Sequence, residues 1–118
     1  MIDIIIPIYN EGIQILNLLK KIKKEVKLNK TIYLCYDDDD DNVFDYIKDL
    51  KRLNNFNIKI KFLKNPFKGP CLAVVNGLKK SISNCKIVYP ADDFLNISLI
   101  EKMFKIYERE NADIVVAS

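Results

Sequence analysis

Acidic or aromatic side chains mark three short stretches, each following an apolar, β-branched run. Pro7-Ile8-Tyr9-Asn10-Glu11 is the first, Asp37 to Asp41 the second, and Tyr89-Pro90-Ala91-Asp92-Asp93-Phe94 the third. Five consecutive carboxylates repel one another, so packing them at a strand end is unfavourable unless cations or hydrogen-bond donors face them. A carboxylate held there can accept a hydrogen bond from a base N–H, as in uracil or guanine. The adjacent pair Asp92 and Asp93 offers the hard oxygens that Mg or Mn takes while bridging to phosphates. Such an ion would offset the charge of a departing diphosphate. In the first stretch, exposed backbone and the Tyr9 ring suit a planar ligand. Each stretch also has a plainer reading: a strand exit with Asn10 as helix cap, a solvated acidic loop, and a helix N-terminus favoured by the dipole. Three such loops on one rim favour the chemical reading.

The absences narrow the chemistry. The 118 residues contain no His, which excludes a Ser/His/Asp triad, a Cys/His pair and a His-ligated zinc site. Glycine occurs only at positions 12, 69 and 77, so neither a G-x-G-x-x-G turn nor a P-loop can be written. Cys35, Cys71 and Cys85 are far apart and read as buried free thiols, which implies a reducing, cytoplasmic setting. No stretch approaches the ~20 apolar residues of a membrane span. The net charge of +3 conceals a polarity: residues 20–30 hold six Lys and one Glu, and residues 37–49 hold seven Asp and one Lys. Seventeen Lys against two Arg argues against nucleic-acid recognition, which favours the bidentate guanidinium. The lysines read as a solvated helix face, and they leave peripheral contact with a membrane surface open.

Periodicity supplies the elements that position these loops. Ile2 to Ile8 reads as a central buried strand, and Ile15, Leu18, Leu19, Ile22 and Val26 fall at helical spacing between about Gly12 and Lys27. Thr31 to Tyr36 is a second strand, and Val43 to Leu53 a second helix. Ile58, Ile60 and Phe62 alternate with lysines as a half-exposed edge strand. Pro70 opens a third helix with Leu72, Val75 and Leu78 expected inward. Lys86 to Tyr89 is a fourth strand, Ile97 to Glu110 a fourth helix, and Asp113 to Ala117 a fifth strand. This alternation predicts an α/β fold, a mainly parallel sheet of about five strands with helices on both faces. Ligands of such sheets bind at strand carboxyl ends, where the three loops lie.

At these residues the chain resembles the family 2 glycosyltransferases, inverting nucleotide-sugar enzymes of the GT-A fold, most closely the dolichol- or polyprenol-phosphate sugar synthases. Ile4 to Glu11 resembles the family's opening "IIIPxYNE", and Tyr36-Asp37 with Asp41-Asn42 its "VDD" and "DGT". Asn65, Lys68-Gly69 and Ala73 to Gly77 resemble the following Asn/Gly segment. Tyr89 to Asp93 resembles the D-x-D metal loop, and Ala112 to Ser118 the "ADIVIGS" strand. The resemblance implies a Rossmann-like, single nucleotide-sugar-binding domain over 1–118, with the acceptor half beyond it. It implies that Pro7, Tyr9 and Glu11 line the nucleoside pocket and that Asp37 accepts a hydrogen bond from the base of a UDP- or GDP-type donor. Lys68 would meet phosphate, Asp92 would lie by the ribose or metal, and Asp93 would be the stronger ligand of a divalent Mg or Mn. The implied reaction is inverting transfer to an acceptor such as a lipid phosphate or glycan. Pro90 replaces the first Asp of D-x-D, the acidic run replaces small residues, and no residue is assigned as general base. A non-catalytic interaction or regulatory module with the same fold is the competing reading.

Overall fold

The computed structural model describes residues 1–55 and 57–116. The elements follow in the order β1 (Ile2–Pro7), α1 (Ile13–Glu25), β2 (Lys30–Tyr36), a 3₁₀ turn (Asn42–Tyr46), α2 (Ile47–Leu53), β3 (Ile58–Lys64), α3 (Pro70–Lys80), β4 (Cys85–Val88) and α4 (Leu99–Arg109). The four strands are parallel in the order β3-β2-β1-β4. β1 is therefore central, as its run of isoleucines requires, and Ile5 stands between Tyr33 and Val88. Alternation divides the sheet into two faces. Ile2, Ile4 and Ile6 join Ile32, Leu34, Ile58 and Ile87 in the main core with the apolar sides of α1, α2 and α4. Ile5, Tyr33, Cys35 and Ala73 form a smaller core beneath α3. The expected α/β architecture with helices on both faces is present.

Four details differ from the expectation. Helix α3 turns Leu72, Val75 and Leu78 outward and buries Ala73, Asn76 and Gly77. The reason is a close approach: a Cβ at Gly77 would lie 2.5 Å from Ile5 Cγ2 and 3.2 Å from Cys35 Sγ. Small residues let the helix backbone settle onto the sheet, so the larger apolar ones face away. Cys71, next to the start of this helix, is consequently exposed, whereas Cys35 and Cys85 are buried.

The sheet has four strands among the described residues. Residues 113–116 have no regular secondary structure, and the remainder of the expected fifth strand lies outside the described residues. Arg109 ends α4, Asn111 takes a positive φ of 47°, and residues 113–116 line a hollow shared with β4, with Ile114 and Val116 exposed. The lysine cluster is also not wholly a solvated face. Lys30 is buried and its Nζ donates to the carbonyls of Val26 (2.8 Å), Leu28 (3.2 Å) and Asn57 (3.5 Å), joining the end of α1 to the β3 entry. Lys21 donates to the Phe94 carbonyl at 2.7 Å.

Candidate functional site

The strand order reverses at β1: β2 follows on one side and β4 lies on the other. Such a switch point opens a crevice at the strand carboxyl ends. A cleft of about 350 Å³ lies there, lined by Pro7 and Glu11 after β1, Pro70 at the start of α3, and Val88, Pro90 and Asp92 around the β4 exit. A larger hollow of about 800 Å³ lies between the free edge of β4, α4 and residues 113–116. Its walls are mainly apolar and, of the three loops, it meets only the third, through Tyr89, Pro90 and Asp93, whereas the smaller cleft joins the first loop to the third and is the candidate chemical site.

The β1–α1 loop is fixed from outside itself. Asn10 adopts a left-handed φ of 48°, which Asn tolerates better than most residues. It does not cap α1; Gly12 occupies that position. Instead, the Asn10 N–H donates to Asp41 Oδ2 (3.0 Å), and its Oδ1 accepts from Asn42 N (3.0 Å). Asn42 returns a bond from its Nδ2 to the Asn10 carbonyl (3.3 Å), and its Oδ1 accepts from Gly12 N (2.9 Å). Two of the three rim loops are thereby clamped together. Tyr9 projects from the clamp, 66% exposed, beyond the cleft lining.

The acidic run separates into distinct roles. Asp37, half-buried, accepts from Asn65 Nδ2 (2.8 Å) and Gly69 N (3.3 Å). Asp38 pairs with Lys68 (3.4 Å) and Asp39 with Lys64 (2.9 Å), both open to solvent and therefore weak. The bond from Asp39 holds the Lys64 ammonium pKa above its ordinary value. Asp41 is buried and accepts from Val43 N (2.8 Å), starting the 3₁₀ turn. Asp40 alone of the five has no side-chain partner among the described residues. The expected repulsion is thus met by donors and lysines. Lys68 stands by Asp38 and not in the cleft.

The third loop divides its two acids. Asp93 turns back on the chain: Oδ1 accepts from Leu95 N and Asn96 N, each 3.0 Å, and Oδ2 from Asn96 Nδ2 at 2.9 Å. The Asn96 side chain, ahead of the two backbone donors, holds this carboxyl below its usual range. Tyr89 is buried and donates its hydroxyl to the Asp93 carbonyl (2.7 Å); burial raises its pKa, with Asp93 nearby adding to the effect. Asp92 is exposed, makes no side-chain hydrogen bond among the described residues, and lines the cleft opposite Glu11.

The order of these loops, three carboxyl-end turns around one crevice, matches a known lineage: a family model described as glycosyl transferase family 2 covers residues 3–118. The chain belongs to this family. No curated protein matches it. Glycosyl transferase family 2 membership supports glycosyltransferase function in general and is consistent with the Rossmann-like sheet.

Members of the family commonly use a divalent metal. Among the described residues, no group of three or more acidic or cysteine side chains is placed to hold one. Asp92 is the uncommitted carboxylate of the loop, and Glu11 lines the same cleft. That donor set fits an ion bound through one or two carboxylates plus substrate phosphates, the usual habit of Mg. No described helix is long and apolar enough to cross a membrane. Sequence reasoning assigned Pro70 and Val88 no place in the site, and it named Asn10, Asp41 and Asn42 without the clamp that joins them. The positive φ at Asn10 could have been suspected from its place between a strand and Gly12; the clamp is a tertiary fact.

Proposed function

We propose that residues 1–118 form the donor-binding domain of a nucleotide-sugar glycosyltransferase, which holds a UDP- or GDP-type sugar for inverting transfer to an acceptor such as a lipid phosphate or glycan. The observation that carries this reading is the cleft at the switch point, where Pro7, Glu11 and Asp92 converge from two strand exits. Next to it, Gly69 joins the Asp37 carboxylate to Pro70 on the cleft wall. Asp37 accepts a hydrogen bond from the base, and Pro7, Tyr9 and Glu11 flank the nucleoside. Lys68 exchanges its solvent-exposed pairing with Asp38 for the diphosphate at little cost, since such pairs are weak.

Asp92, with its carboxylate free, takes the metal-facing role, and Asp93 holds the loop in shape. When bound, Mg or Mn supplies positive charge against the developing diphosphate. Glu11 and Asp92 would hold the ion from the protein side. A hydroxyl acceptor, as on a glycan, needs a base, and none of the residues in the cleft is assigned that part.

Isothermal titration of UDP and GDP, with and without Mn, tests the reading. Binding that strengthens with Mn is expected; no binding of either nucleotide at millimolar concentration defeats it. Asp92→Ala is expected to abolish the effect of Mn, and an unchanged Mn effect in that variant counts against the role of Asp92.

A further inference from the structure

Asp37 is held by a chain of amides that begins inside the fold. Asn76 lies on the buried side of α3, 8% exposed, and Asn65 follows β3, 4% exposed. A carboxylate only accepts hydrogen bonds, so the Asn65 group facing Asp37 Oδ1 at 2.8 Å must be its NH₂. Its oxygen then points inward, 3.5 Å from Asn76 Nδ2. Asn76 must in turn present its NH₂, and that same nitrogen also donates to the Lys64 carbonyl at 3.2 Å. Every amide orientation in the row follows from the acceptor at its outer end, and flipping either amide places like groups face to face. The second carboxylate oxygen is taken by Gly69 N at 3.3 Å, from a glycine whose φ of 116° other residues rarely adopt. Nothing stands within 4 Å of where a Gly69 Cβ would be, so conformation and not space selects that glycine.

We propose that Asn65 and Asn76 are positioning residues that fix the plane of the Asp37 carboxylate, leaving its unused lone pairs directed at a ring N–H of the bound nucleobase. The relay makes base selection depend on two buried amides that need not touch the ligand. It rests on the donor-binding reading above. An acceptor-only group fixed in one plane favours uracil and guanine, which carry a ring N–H, over cytosine and adenine, which present a ring acceptor at the corresponding edge.

Titrations with UDP, GDP, CDP, ADP and inorganic diphosphate, all with Mn, separate the outcomes, and thermal melts of each variant accompany them. The native chain is expected to bind UDP or GDP more tightly than CDP and ADP. Asn65→Asp sets carboxylate against carboxylate and is expected to weaken the preferred nucleotide at least ~10-fold while leaving diphosphate within ~2-fold. Combining it with Asp37→Asn restores a donor–acceptor pair between the two positions with the polarity reversed. That double variant is expected to regain melting temperature without regaining the base preference. Asn76→Asp removes both inner bonds and is expected to reduce the preference in the same direction. Native discrimination that persists unchanged in Asn65→Asp overturns the positioning role alone, and a double variant that recovers stability and base preference together overturns the need for a carboxylate at position 37. A native chain that binds diphosphate but shows no preference among the four nucleotides overturns base reading by Asp37. Absence of any nucleotide binding overturns the donor-binding reading, and this proposal with it.

Discussion

Replacing Gly77 by Ala tests how tightly α3 is seated on the sheet. Two effects compete. Alanine is favoured over glycine inside a helix by ~1 kcal/mol. Against this, the new methyl would fall 2.5 Å from Ile5 Cγ2, with Ile5 Cγ1 at 3.3 Å and Cys35 Sγ at 3.2 Å. Ile5 is fully buried in the central strand and β-branched, so its Cγ2 cannot swing aside, and overpacking of this kind costs ~1–3 kcal/mol. The clash wins, because relief requires the whole helix to lift from the sheet. With the 2.5 Å approach placing the cost in the upper part of that range, the expected net loss after the helix gain is up to ~2 kcal/mol, or a fall in melting temperature of up to roughly 8 °C for a chain of this length. Urea and thermal unfolding measure it. A double-mutant cycle with Ile5→Ala, which removes the clashing methyl, sharpens the test: the two changes should be non-additive, with the Ala at 77 better tolerated beside the smaller residue. A Gly77→Ala chain that melts at or above the native temperature would refute the reasoning.

Other expectations follow from the site and the core. Asp41→Ala removes the acceptor for Asn10 N and Val43 N and should cost ~2–3 kcal/mol by chemical denaturation, whereas Asp40→Ala should stay within ~0.5 kcal/mol; equal effects would remove the distinction drawn within the acidic run. A thiol reagent should find one fast cysteine in the folded chain, Cys71, and three after unfolding; uniform rates would contradict the burial of Cys35 and Cys85. Burial pushes the Cys35 thiol from 9.0 up to about 11, so the folded state holds this proton more tightly than the unfolded chain does. That stabilisation is complete below pH 9 and is lost as the pH rises to 11, a difference of ~2–3 kcal/mol. Tyr33 and Tyr89, also raised by burial, act in the same sense above pH 10, while Lys30, lowered by burial, opposes them. Urea unfolding at pH 8 and 11 should therefore show a smaller alkaline loss in Cys35→Ala than in the native chain, and identical losses would count against it.

Much of the architecture was legible because strands and helices here carry opposite periodicities. The isoleucines of β1 and the lysine-punctuated stripe of α1 admit one assignment each. The inward face of α3 was not legible, since hydrophobicity points to Leu72, Val75 and Leu78 whereas seating depends on the absence of a side chain at Gly77. The β-branched run at 113–116 has strand propensity, but pairing is a tertiary outcome and the described part does not join β4. In the candidate site, the sequence located the loops and not the roles within them. Five identical aspartates are indistinguishable until the chain path buries Asp41 and leaves Asp40 in solvent. Asp92 and Asp93 are likewise equivalent as letters, and only the turn that delivers Leu95 N and Asn96 N to Asp93 separates a cleft-facing carboxylate from one committed to its own loop.

The clamp of Asn10, Asp41 and Asn42 has a mechanical consequence. It makes the loops after β1 and β2 one stiff jaw, and the opposing jaw, residues 90–96, is fastened by bonds within itself and by Lys21 reaching the Phe94 carbonyl. A ligand entering the cleft meets one wall braced between two strand exits and a second held by its own turn, by Lys21 and by the packing of Ala91 and Phe94 on the core. Little ordering is then left for binding to impose, and the first jaw acts as the fixed gauge against which the ligand is measured.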